Sequence, residues 1–221
     1  YGLIGARMFQ NMKLEIDYRH RTVTLKPTRG EKGMSKDCCE RKLAMRYLEV
    51  RRHSIRIKPN EHLSQEGVRL ARSVSETLGP FDRVLTSMLL RAYETAIAMG
   101  FVVDEQLKDF GIDHLEKVGP EIDWNAGFAG WAQAARRGGA TTEFVHTQAK
   151  LWHAIVETLP DGGQALIIGH EGIMEGGAVG CLPNANHAAW GPMCGYCEGV
   201  RLAFDGERFT NAEIRRVERI E

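Results

Sequence analysis

Two short apolar runs, each in a segment that ends at a histidine, constrain the fold of this chain more than any other feature. The first run, 47–50, lies in a predicted strand, 46–52, that ends at Arg52 just before His53; the second, 165–169, directly precedes His170. Short, nearly continuous apolar runs are typical of strands buried on both faces of a parallel sheet. Ligands of such sheets bind in the crevice beyond the carboxyl ends of the strands. We therefore expect the two histidines at one edge of an α/β sheet, in an active site.

Strand and helix patterns alternate along the rest of the chain. Apolar spacing and Gly or Pro stops predict further strands at 83–87 and 101–103, helices at 64–78, 90–99, 144–159 and 172–181, and a terminal hairpin at 200–209. The glycine-rich residues 110–140 are expected to form an excursion over the sheet edge. This alternation predicts a three-layer α/β/α sandwich with a mostly parallel sheet.

The N-terminal region differs in composition from the rest. Residues 1–45 hold ten Lys or Arg against five Asp or Glu, although the formal net charge of the chain is +0. Alternating polarity at 13–18 and 22–25 predicts a β-hairpin, and 28–33 is polar and glycine-containing, as linkers are. We predict a basic appendage with a linker over 1–44 and a separate domain over 45–221.

Part of the appendage, residues 3–25, resembles the closing segment of pepsin-like or retroviral-type aspartic proteases. Leu3-Ile4-Gly5-Ala6 and residues 16–23 carry this resemblance. The Asp-Thr/Ser-Gly signature of that family is absent from the chain, so no proteolysis is predicted.

Charge and cysteine content argue against several classes of protein. A balanced net charge indicates neither nucleic acid nor membrane as a partner. No apolar stretch approaches the roughly 20 residues of a membrane-spanning helix. Five cysteines without framework-like spacing favour a cytoplasmic protein. Cys194 and Cys197 have the spacing of redox and zinc sites, but the only other close pair is Cys38-Cys39, so chance spacing is the preferred interpretation and no metal is predicted.

Arginines cluster around the first histidine. Arg52 precedes it and Arg56 lies three residues beyond it. A guanidinium donates two parallel hydrogen bonds to phosphate oxygens, and a neutral imidazole beside it can attack phosphorus. The pattern therefore predicts a site for a phosphorylated ligand.

Four passages form an ordered set: 50–56, 63–67, 84–96 and 168–172. They resemble, in turn, the Arg-His-Gly signature, the Leu-Thr-x-x-Gly helix entry, the Ser-Pro-x-x-Arg-Ala-x-x-Thr-Ala segment and the second-histidine motif of the histidine phosphatase superfamily. That superfamily includes the phosphoglycerate mutases and many phosphatases. The resemblance spans residues 46 to about 205 and implies a phosphoglycerate mutase-like fold that works without a cofactor.

The resemblance also implies a role for each matching residue. His53 would attack phosphorus and become the phosphohistidine. Arg52 and Arg91 would bind the phosphoryl oxygens, and His170 would donate to an oxygen whose charge grows in the transition state. Arg56 matches an arginine that the acid phosphatases keep three residues beyond the nucleophile.

The general acid that protonates the leaving oxygen is less well defined by the sequence. Aligning 104–111 on the family pattern places Asp109 in that role, and a shifted register would place Glu105 there. Glu171, next to His170, resembles the acid of the acid phosphatase branch. We predict Asp109 and keep Glu105 and Glu171 as alternatives.

Two positions depart from the family pattern. Ser54 stands where glycine is expected after the nucleophile, and Met88 stands where proline is usual. These departures leave the substrate class open. The resulting hypothesis is a metal-independent phosphatase for a small phosphomonoester; the alternatives are a phosphomutase and a catalytically inactive phosphate-binding module. Oligomeric state is left open.

Overall fold

The computed structural model describes residues 12–17, 22–27 and 44–217. Contacts divide the chain into two units, 1–41 and 42–221. In the first unit, strand β1 (Met12–Asp17) pairs antiparallel with β2 (Thr22–Pro27), in the two segments where polarity alternates. The predicted linker at 28–33, Cys38-Cys39 and most of the protease-like segment lie outside the described residues.

A six-stranded sheet forms the centre of the second unit. Its strands are β3 (Arg46–Arg52), β4 (Arg83–Ser87), β5 (Glu105–Leu107), β6 (Gln164–Gly169), β7 (Gly199–Phe204) and β8 (Phe209–Arg215). Their order across the sheet is β5-β4-β6-β3-β7-β8. The first four of these run parallel, and β7 pairs antiparallel with both of its neighbours. The predicted mostly parallel sheet is confirmed.

Six helices accompany the sheet: α1 (Gln65–Ser75), α2 (Leu90–Ala98), α3 (Leu115–Val118), α4 (Phe128–Arg137), α5 (Ala140–Glu157) and α6 (Ile173–Cys181). The side chains of strand β6 show that the helices form two layers. Leu166 and Ile168 pack with buried residues of α1 and α2, whereas Ala165 and Ile167 pack with those of α4, α5 and α6. Because alternate side chains of a strand point to opposite faces, the sheet is covered on both sides. None of the described helices is long and apolar enough to cross a membrane.

The predictions around β5 and the following segment need correction. The apolar residues 101–103 do not form a strand, and Val102 is 80% exposed. Strand pairing begins at Glu105, opposite Leu85. At the preceding residue, Asp104, the side-chain carboxylate accepts a hydrogen bond from the N–H of Val84 at 2.7 Å. The predicted excursion at 110–140 contains α3 and α4 rather than an irregular loop.

Helix α5 begins four residues before the predicted start. The carboxylate of Glu121 accepts hydrogen bonds from the N–H groups of Ala140 and Thr141 at 3.0 and 2.8 Å. These are among the donors that the first turn of a helix leaves without partners inside the helix. Because the capping group lies 19 residues away in the chain, no local sequence pattern identifies it.

Candidate active site

The register of two parallel strands brings the histidines together. Arg52, the last residue of β3, lies opposite Gly169, the last residue of β6. The N–H of His53 donates to the carbonyl of Gly169 at 2.9 Å. The rings of His53 and His170 are consequently 5.1 Å apart between centroids. Both side chains are buried at the carboxyl edge of the sheet.

Hydrogen bonds of His53 define which of its ring nitrogens carries the lone pair. The Nδ1 atom of His53 lies 2.7 Å from the carbonyl oxygen of Ser54. A carbonyl can only accept, so Nδ1 carries the proton and Nε2 carries the lone pair. The Nε–H of Arg91 donates to this Nε2 at 3.1 Å. Nε2 of His53 therefore lies next to a guanidinium, a group that binds phosphate well.

Both histidines are held in the neutral form. Burial, reinforced by the positive charges of Arg91 and Arg52, lowers the pKa of His53 from 6.5 to about 3. Burial also lowers the pKa of His170 to about 2, with further contributions from His53 and the same arginines. An imidazole without a proton on Nε2 is the reactive form toward phosphorus, and it is the dominant form at pH 7.

A cavity of about 220 Å³ opens in front of the histidines. Its walls are formed by Arg52, His53, Arg56, Lys58, Arg91, Ile112, Leu115, His170, Glu171 and Tyr196. The structure thus brings together both predicted histidines and all three predicted arginines. The walls carry four cationic side chains and one carboxylate, so the cavity favours an anion.

Carboxylates pair with the arginines of this cavity. Arg52 pairs with Glu171 at 3.0 Å and donates to the carbonyl of Cys194 at 2.9 Å. Arg56 and Arg91 both pair with Glu61. The guanidinium groups are therefore oriented by protein contacts, and an anion at the same N–H groups would compete with these carboxylates.

Comparison with protein family models identifies the family of this chain. The family model described as histidine phosphatase superfamily (branch 1) matches residues 49–216, most of the chain. The chain belongs to the histidine phosphatase superfamily. A search of curated proteins finds no match.

Solved structures share the fold of this chain. A mycobacterial glucosyl-3-phosphoglycerate phosphatase complexed with VO3 is 20% identical, with a TM-score of 0.55, and 78% of this chain covers 100% of that one. A phosphoserine phosphatase from Entamoeba histolytica in complex with 3-phosphoglyceric acid is 14% identical, with a TM-score of 0.55 and coverage of 78% and 98%. A phosphoglycerate mutase from Bacillus anthracis is 15% identical, with a TM-score of 0.53 and coverage of 80% and 94%. The phosphoglycerate mutase-like fold predicted from the sequence is confirmed.

The three carboxylates predicted as candidates for the general acid lie in different places. Asp109 lines a neighbouring cavity, and its backbone carbonyl accepts from Gln148 at 2.9 Å. Glu105 pairs with Arg83 at 2.8 Å on an exposed part of the sheet. Only Glu171 among the three lines the cavity that contains His53. The expected position of Asp109 at the site is therefore not observed, because burial of Phe110 in the short 108–110 turn leaves Asp109 outside the cavity.

Ser54, which departs from the family pattern, makes structural hydrogen bonds. Its hydroxyl donates to the carbonyl of Gly67 in α1 at 2.7 Å. Its N–H donates to the hydroxyl of Thr95 in α2 at 2.9 Å. The side chain is fully buried between these helices and does not line the cavity. The serine therefore fixes the backbone carbonyl that orients His53. The other departure, Met88, is 58% exposed.

Several residues of the site were missed by the sequence analysis, and three of them contact its arginines or histidines. Tyr196 lines the cavity, with the Arg52 guanidinium 4.8 Å from its ring centre. The hydroxyl of Ser87, at the end of β4, lies 2.6 Å from Nε2 of His170. Glu61 pairs with two of the arginines. Ser87 lay within a recognised motif, but nothing in the sequence linked Tyr196 or Glu61 to the arginines.

The loop with the Cys-x-x-Cys spacing supports the site through its backbone. The carbonyl of Cys194 accepts from Arg52, and that of Cys197 accepts from Arg51 at 2.9 Å. Both thiols are buried, and burial raises the pKa of Cys197 to about 11 and that of Cys194 further. Deprotonated thiolates, the reactive and metal-binding form, are therefore disfavoured here.

The buried neutral histidines predict a loss of stability in acid. The pKa of His53 is lower in the folded protein than in the unfolded chain, so the unfolded chain binds more protons between pH 6.5 and about 3. The stabilising effect is complete above pH 6.5 and is lost as the pH falls toward 3. Between pH 7 and 4.5, the free energy of unfolding, measured with urea, should fall in both proteins. We expect the fall in His53→Asn to be smaller than in the parent by about 2 kcal/mol. An equal fall in both proteins would contradict this; the exposed His146→Asn is the control.

Proposed function

We propose that this protein is a metal-independent phosphatase that hydrolyses a phosphomonoester through a phosphohistidine intermediate on His53. One observation carries the proposal. The Nδ1 of His53 donates to the Ser54 carbonyl, so Nε2 carries the lone pair and faces a cavity lined by Arg52, Arg56 and Arg91, the last of which donates to it. Phosphoryl transfer depends mainly on positioning and on charge stabilisation, both of which fixed guanidinium groups supply.

The first half-reaction forms the intermediate. Nε2 of His53 attacks phosphorus, and the bond between phosphorus and the ester oxygen breaks. Glu171, which lines the same cavity, donates a proton to the departing alcohol. Arg52, Arg56 and Arg91 stabilise the transferring phosphoryl group, and His170, with its ring 5.1 Å from that of His53, lies close enough to contact the phosphoryl oxygens.

The second half-reaction restores the enzyme. A water molecule attacks phosphorus, the carboxylate of Glu171 accepts its proton, and the bond between phosphorus and Nε2 breaks. Inorganic phosphate leaves and His53 returns to its neutral form. The proposal assigns the acid and base role to Glu171 rather than to Asp109, because Asp109 lines a different cavity.

The dimensions of the cavity support a small substrate. About 220 Å³ accommodates a phosphoryl group with a short leaving group. Lys58 and Tyr196 at its walls offer a cation and an aromatic face to that leaving group. A phosphoserine phosphatase of similar fold forms complexes with 3-phosphoglyceric acid and, as a mutant, with phosphoserine, which are molecules of this size.

Hydrolysis of p-nitrophenyl phosphate in the presence of EDTA tests the proposal. We expect steady release of inorganic phosphate that the chelator does not reduce. A phosphomutase would instead move phosphate between two positions of one substrate with little net release. A phosphate-binding module would bind phosphate without turnover. Either of these outcomes, or loss of activity with EDTA, would contradict the proposal.

A further inference from the structure

The loop formed by residues 57–63 places a carboxylate on two of the phosphate-binding arginines. The side chain of Glu61 pairs with Nη1 of Arg56 at 3.3 Å and with Nη1 of Arg91. Arg91 is only 6% exposed at its side chain, so this ion pair is shielded on one side from solvent. A carboxylate and a phosphoryl group present similar oxygens to a guanidinium, and both cannot occupy the same N–H groups.

The same contact controls the nucleophile. Arg91 reaches Glu61 with Nη1 and donates from Nε to Nε2 of His53 at 3.1 Å. The lone pair that would attack phosphorus is therefore covered while Arg91 remains in this position. Binding of a phosphoryl group must draw the arginine away from both partners.

The loop is anchored to the helix that carries the arginine. Glu94 lies one turn after Arg91 in α2, and its carboxylate accepts from the N–H of Leu63 at 2.7 Å and contacts Nδ1 of His62 at 2.5 Å. A hydrogen bond from the N–H of Ile57 to the carbonyl of His62 closes the loop at 2.9 Å. The position of the Glu61 carboxylate relative to Arg91 is thus set by α2 itself.

We infer that Glu61 is a positioning residue that competes with phosphate for Arg56 and Arg91. Its carboxylate holds the two arginines and, through Arg91, keeps Nε2 of His53 covered. A bound phosphoryl group displaces it, and its return favours release of inorganic phosphate after hydrolysis. The inference rests on the proposed function only in assuming that phosphate binds these arginines.

Calorimetric titration with inorganic phosphate tests this inference without requiring turnover. In Glu61→Gln the competing negative charge is lost, so we expect the dissociation constant for phosphate to fall about three- to tenfold. The product inhibition constant and KM should fall with it, while kcat does not rise. Glu61→Asp, which keeps the charge, should bind phosphate as weakly as the parent. Glu66→Gln, an exposed carboxylate of α1, is the matched control.

A second variant covers the case in which Glu61→Gln does not fold. Glu94→Ala releases the loop from α2 and should also tighten phosphate binding. The inference would be overturned if phosphate binding were unchanged or weaker in Glu61→Gln and Glu94→Ala, or in whichever of them folds. If the parent hydrolyses phosphomonoesters and this result is obtained, the inference alone fails. Tighter binding in a protein without any turnover would support the inference and reject the phosphatase. No phosphate binding in parent or variants would overturn both.

Discussion

Replacing His53 with alanine is expected to reduce kcat for phosphomonoester hydrolysis by about 10⁴-fold or more. The substitution removes the atom that accepts the phosphoryl group, so water would have to displace the alcohol in one step. The arginines that bind phosphate remain, since Arg52 is held by the Cys194 carbonyl and Arg56 by the carbonyl of Asn60. The variant should therefore still bind inorganic phosphate while it fails to turn over substrate.

Trapping of the intermediate complements this kinetic measurement. A phosphorus–nitrogen bond is labile in acid and stable in alkali, unlike a phosphate ester of serine. Substrate labelled in its phosphoryl group should give alkali-stable, acid-labile label on the parent and none on His53→Ala. His146→Ala, an exposed histidine of α5, should retain both activity and labelling. Activity of His53→Ala within tenfold of the parent would exclude the phosphohistidine mechanism.

The strands that carry the site were predictable because their signal is local. The predicted bounds of β3 and β4 agree with the structure. Both strands are largely buried, and the apolar residues at their centres mark their positions. The meeting of His53 and His170 followed from the parallel pairing of β3 and β6. A parallel sheet necessarily places such strand ends at one edge.

The elements that were predicted incorrectly depend on partners that are distant in the chain. The apolar residues 101–103 favoured a strand, but pairing with β4 begins only at Glu105. Helix α5 starts at Ala140 because Glu121 caps it. In both cases a tertiary contact outweighs local propensity, and no local pattern contains that information.

The acid could not be assigned from the sequence for a similar reason. Alignment placed Asp109 two residues after Leu107, but the chain turns at 108–110 and buries Phe110. The side chain of Asp109 is thereby left at the wall of a neighbouring cavity. Motif spacing gives the position of a residue along the chain, whereas the role of an acid depends on its distance from the leaving oxygen.

The identity of the acid predicts a dependence on the leaving group. A p-nitrophenolate leaves without receiving a proton, whereas an alkyl alkoxide needs one in the transition state. We expect Glu171→Gln to lower kcat/KM for an alkyl phosphate such as glycerol phosphate by about 10²- to 10⁴-fold. The loss with p-nitrophenyl phosphate should stay below about tenfold, because proton donation contributes little there.

The same comparison in Asp109→Asn separates the two carboxylates. Its side chain lines a cavity that does not include His53, so the variant should retain the activity of the parent toward both substrates. Glutamine at 171 also removes the charge that pairs with Arg52 at 3.0 Å, so KM for p-nitrophenyl phosphate should fall or stay constant. A merely structural role of Glu171 would lower both activities together. A loss confined to the alkyl phosphate in Asp109→Asn, with Glu171→Gln unaffected, would return the acid role to Asp109 and require the 108–115 segment to move when substrate binds.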